Sequence, residues 1–98
     1  MLDKIYYGEV KVFANLPSLK ECAMKVLEES NEFVSCVRSA DYEKTVKESM
    51  DLLQAMTNTL ALMYGDDLPH GGNLTYEKTC MYARNRARGR FYEGEEKW

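Results

Sequence analysis

The chain is 98 residues long, 45% hydrophobic and 30% charged, the balance of one small globular domain rather than of a disordered or membrane-embedded segment. Its net charge of −3 excludes the broad basic surface of a duplex-binding protein, so a nucleic-acid polymer is not expected as a partner. Cys22, Cys36 and Cys80 are odd in number and form no CxxC pair, which argues against a disulfide framework or a thiolate metal site and for a reducing compartment.

Met1 to Leu16 carries Ile5, Tyr6, Tyr7, Val10, Val12 and Phe13, strand-like or simply extended, interrupted by Gly8. It is too short to make a sheet alone and reads as an arm, residues 1–16, that packs on helices or on a neighbour. The first thirty residues lack an apolar signal core, and no run approaches the roughly 20 apolar residues that cross a bilayer. No membrane is expected, and a cytoplasmic location follows as the default.

Asn15-Leu16-Pro17-Ser18 is a helix start, because Pro fits the first turn and Asn or Ser can cap free amides. Leu19, Cys22, Ala23, Val26, Leu27, Phe33, Val34 and Val37 then keep the rhythm of an amphipathic helix over about 18–39. Asp41 caps a second helix running to about Tyr64, with Val46, Met50, Leu52, Leu53, Met56, Leu60, Leu62 and Met63 spread around most of its circumference. A helix apolar on several sides belongs at the centre of a bundle. Gly65 ends it, Asp66 to Asn73 is a loop with Pro69, Gly71 and Gly72, and Thr75 opens a third helix to about Arg88. The expected fold is all-α: a helical hairpin plus a third helix, completing a four-helix-type bundle by oligomerisation. Residues 17–92 would form the domain and 93–98 a loose tail.

Two acidic clusters sit on the helices of that hairpin and flank their apolar stripes, Glu28-Glu29-Ser30-Asn31-Glu32 and Glu48-Ser49-Met50-Asp51. Carboxylates three apart share a helix face, so a hairpin can gather Glu29, Glu32, Glu48 and Asp51 into a cage of oxygen ligands. Such a cage repels itself unless a hard divalent cation such as Mg²⁺ sits in it. Glu28 is expected on the opposite side of the first helix and is the weaker ligand candidate. The competing reading is a solvated face of i, i+4 ion pairs: Lys25–Glu29, Lys44–Glu48 and Lys47–Asp51 all have that spacing, with the basic residue first. A di-iron carboxylate bundle would want Glu-x-x-His pairs, and the only histidine is His70 in the loop. The methionines read as core filling.

Glu29-x-x-Glu32, fifteen intervening residues, then Glu48-x-x-Asp51 resembles the ExxE…ExxD signature of the MazG-like all-α nucleoside triphosphate pyrophosphohydrolases. The residues leading into the first pair, Glu21 to Glu29, those after the second, Leu52 to Leu62 with Asn58, and Arg84-Asn85-Arg86-Ala87-Arg88-Gly89-Arg90-Phe91 are similar to small phage and bacterial members. The arginine segment departs from the longer members. The resemblance implies Mg²⁺-dependent hydrolysis of a (d)NTP between its α and β phosphates, to a monophosphate and pyrophosphate, with Mn²⁺ able to substitute. It makes Glu29, Glu32, Glu48 and Asp51 the metal ligands and catalytic acids, with Glu32 as general base. Lys78, Asn85 and Arg88 would meet the phosphates, or else form a solvated helix end. Asn58 would contact base or sugar, or else be a satisfied buried amide. A homodimer or homotetramer is expected. The alternative to an enzyme is a non-catalytic helical module that binds a nucleotide or a protein.

Overall fold

The computed structural model describes residue 2 and residues 4–91. The expected tail, 93–98, lies outside the described residues. Every regular element is helical: α1 is Leu19–Arg38, α2 is Tyr42–Tyr64 and α3 is Thr75–Ala87, with short 3₁₀ turns at Gly65–Asp67 and Pro69–Gly72. The chain divides into two compact units, one from Tyr7 to Leu68 and one that joins the residues before Tyr7 to those from Pro69 onward.

In the first unit, α1 begins where Ser18 accepts a hydrogen bond from the Glu21 N–H, and α2 begins where Asp41 accepts one from Lys44, so both starts are set by local side-chain capping. Between them the chain turns in three residues, and α1 and α2 pack as an antiparallel hairpin. The turn is a Schellman closure: the Ala40 N–H donates to the Val37 carbonyl and the Asp41 N–H to that of Cys36. Ala40 takes the left-handed conformation this requires, at φ 55°, in the position glycine usually fills. At the far end Gly65, at φ 54° and ψ −130°, ends α2 with a conformation that side chains disfavour.

The seam of the hairpin is unusual in what it buries. Cys22, Cys36 and Ala55 are the buried apolar residues among those described, and beside them Glu29, Glu48 and Asn58 are buried as deeply. Large apolar side chains lie mostly outside: Val46 is 65% exposed, Met63 58%, Leu27 53% and Met56 44%. Helix α2 therefore carries apolar surface on several sides, as its sequence requires, and among the described residues much of it stays exposed.

The arm is extended, with no strand among the described residues. From Tyr7 onward it belongs to the hairpin unit, and it is tied to α2 by hydrogen bonds from Gln54 to the Lys11 carbonyl and from the Phe13 N–H to Asn58. In the other unit, Asn73 accepts from the Thr75 N–H at the start of α3. Gly89 follows its end at φ 65°, and the rings of Tyr82 and Phe91 meet edge to face with centroids 5.4 Å apart.

Candidate functional site

The acidic residues lie near the middle of both hairpin helices. Each rises from a regular turn, so its backbone position is fixed by α1 or α2 and not by a loop. Carboxylate oxygens of Glu29, Glu48 and Asp51 lie within 4.8 Å of one another, so the hairpin brings together one acid of α1 and two of α2. A second group, Glu28, Glu29 and Glu32, meets the same limit and shares Glu29 with the first. Glu29 and Glu48 are buried, whereas Glu28, Glu32 and Asp51 are exposed, giving the cluster a closed floor and an open rim.

Glu28 differs from its expected place. Residues four apart on a helix are separated by only about 40°, so Glu28 and Glu32 stack one turn above the other, and Glu28 joins the cluster. Lys25 joins it as well: its ammonium lies 3.2 Å from Glu29 Oε1 and 3.3 Å from Glu28 Oε1. Those carboxylates hold the lysine more firmly protonated than usual, the hydrogen bond to Glu29 first and that to Glu28 next. Of the three i, i+4 pairs legible in the sequence this alone forms. Among the described residues no ion pair joins Lys44 to Glu48 or Lys47 to Asp51.

The electrostatics of the floor are strained. Burial pushes the Glu48 carboxyl above the ordinary glutamate range; the neighbouring Glu32, through a hydrogen bond and its charge, and then Asp51 push the same way, while Lys47 opposes. Glu29 Oε2 and Glu48 Oε2 are buried without any hydrogen-bond partner. Buried polar atoms are normally satisfied, and two orphaned oxygens on carboxylates of one cluster are what a hard cation would complete. The donor set is all oxygen, as Mg²⁺ or Mn²⁺ prefers.

The remaining predicted residues divide between the units. Asn58 is buried on α2, and its amide oxygen accepts from the Phe13 N–H at 3.1 Å and from Gln54 Nε2 at 3.0 Å. Lys78 and Asn85 lie on α3 and Arg88 caps its end. Lys78 and Arg88 are exposed and make no ion pair among the described residues, while Asn85 receives its hydrogen bonds from Arg90 and Arg88. No helix among the described residues is long and apolar enough to cross a membrane. Compared with family models, with characterised proteins and with solved structures, the chain matches none.

Proposed function

We propose that the chain is a nucleoside triphosphate pyrophosphohydrolase, splitting a (d)NTP between its α and β phosphates into (d)NMP and pyrophosphate. The observation that carries this reading is the Glu29, Glu48, Asp51 group, three carboxylates with oxygens inside 4.8 Å, two of them buried with one unpartnered oxygen each. A small domain gains nothing in stability from burying repelling acids, so their presence on the hairpin seam favours a site over a solvated face.

Glu29, Glu32, Glu48 and Asp51 would hold Mg²⁺, or Mn²⁺ in its place. The cation supplies charge neutralisation of the phosphates and activation of water when bound. Glu32, on the open rim, is given the role of general base toward the attacking water. Lys25 tempers the negative charge of Glu28 and Glu29, leaving Glu32, Glu48 and Asp51 without a lysine ion pair among the described residues. Lys78, Asn85 and Arg88 belong to the other unit and are not assigned a part in this site.

The exposed apolar positions of the hairpin, among them Leu27, Val34, Val46, Met50 and Met56, we assign to a second copy of the chain. Among the described residues no large side chain is fully buried, and a dimer or a pair of dimers completing a four-helix-type bundle would supply the missing core. A monodisperse monomer at micromolar concentration in light scattering would contradict this assignment.

A screen of canonical and modified (d)NTPs for pyrophosphate release tests the function. Release that requires Mg²⁺ and stops with EDTA is expected for at least one substrate. No release from any of them would favour the non-catalytic helical module, for which the Lys25 ion pairs count as structural pairing.

A further inference from the structure

The site reading above leaves two side chains of α2 without a role, Gln54 and the buried Asn58. At 100° per residue, Asp51, Gln54 and Asn58 fall within about 60° of the helix circumference, so both amides continue the face that carries Asp51. Gln54 Nε2 donates to the Lys11 carbonyl at 2.7 Å and to Asn58 Oδ1 at 3.0 Å, and Asn58 Oδ1 accepts from the Phe13 N–H at 3.1 Å. These bonds fasten an extended segment, with no secondary structure of its own, to the helix from one turn beyond Asp51 onward. The segment carries a large aromatic residue, yet Phe13 is 58% exposed while the amide that holds its backbone is 7% exposed. A buried amide thus holds in place a residue whose ring remains in water.

We infer that Gln54 and Asn58 are positioning residues that hold the 11–13 segment at the base end of the acidic site, and that the nucleobase of the substrate stacks on Phe13. The inference rests on the nucleotide reading of that site. A triphosphate engaged by the acids would extend its nucleoside along α2 toward this segment, roughly one to two turns from Asp51. Aromatic stacking accepts any base, because every base has a π-face. Phe13 therefore contributes affinity common to all bases, and Asn58 acts through its acceptor oxygen rather than by reading the base.

The test is steady-state kinetics of the full chain on a panel of nucleoside triphosphates. Phe13→Ala should raise KM about tenfold or more for every base, the size that base–aromatic stacking carries, with kcat changed far less. Phe13→Tyr should restore KM. Gln54→Ala should raise KM in the same sense, with kcat changed far less. A wild-type KM in Phe13→Ala would overturn the inference while leaving the hydrolase reading intact. So would a wild-type KM in Gln54→Ala with circular dichroism unchanged, since the segment would then not depend on that tether. A binding arm separates the two readings. With Phe13→Trp in a Trp98→Phe background, the only tryptophan lies on the segment, and a nucleoside triphosphate with Mg²⁺ should quench its fluorescence even if no turnover is found. Unquenched fluorescence at millimolar nucleotide overturns the stacking assignment.

Discussion

Divalent cation should stabilise this protein well beyond the effect of ionic strength. Without it, the hairpin holds Glu29, Glu48 and Asp51 within 4.8 Å, with two buried oxygens unpartnered. A ligand that binds only the folded cluster adds RT ln(1 + [L]/Kd), about 2.7 kcal/mol at a hundredfold excess over Kd. For a domain of this size each kcal/mol moves Tm by roughly 4–8 °C, so the expected rise is on the order of 10–20 °C. The assay is differential scanning fluorimetry at neutral pH in EDTA, then with increasing MgCl₂, against NaCl at matched ionic strength. Glu48→Gln should start from an equal or higher Tm, because one repelling charge is gone, and should respond much less to Mg²⁺. Equal shifts with NaCl and MgCl₂, or a full Mg²⁺ response in Glu48→Gln, would refute the reasoning, since the first would mean that screening alone acts on these acids and the second that Glu48 holds no cation.

Other outcomes follow from particular residues. Asp51→Asn should abolish turnover without lowering the urea midpoint in EDTA; a large loss of stability would instead assign Asp51 to a structural ion pair. The raised Glu48 pKa gives a sign to the pH dependence. The folded carboxyl keeps its proton where the unfolded one has lost it, so this contribution is fully present below the ordinary glutamate pKa of about 4.3 and is lost as pH rises through the folded value. Urea midpoints in EDTA should therefore fall over that window in the wild type and fall less in Glu48→Gln; parallel profiles would contradict it. Ala40→Gly should stabilise by about 1 kcal/mol in urea unfolding, because Ala40 holds φ 55° at a helix end, and a loss of stability would refute the assigned strain.

The hairpin was legible because its signals are local. Ser18, Asp41 and Gly65 are caps and stops that act within one turn, and they stand where the sequence puts the helix boundaries. The Ala40 turn was not legible in its detail, since no glycine marks the left-handed position and only the hydrogen bonds reveal it. The arm read as strand-like or simply extended, and it is extended, because a strand needs a partner strand and α2 offers side-chain amides instead. Within the acidic cluster, the motif spacing named the four acids but set Glu28 aside. Side-chain reach along one turn brings Glu28 in, and the same reach pairs Lys25 with both Glu28 and Glu29. The depth at which Glu29 and Glu48 are buried has no sequence signal of its own, because their neighbours along the chain are polar.

The position of bond cleavage tests the central claim most directly. A substrate found in the (d)NTP screen is hydrolysed in ¹⁸O-water with Mg²⁺, and the products are separated and weighed by mass spectrometry. Attack at the α-phosphorus puts one ¹⁸O in the nucleoside monophosphate and releases unlabelled pyrophosphate, which is the result predicted here. Label in pyrophosphate, or orthophosphate with a nucleoside diphosphate as products, would contradict the account.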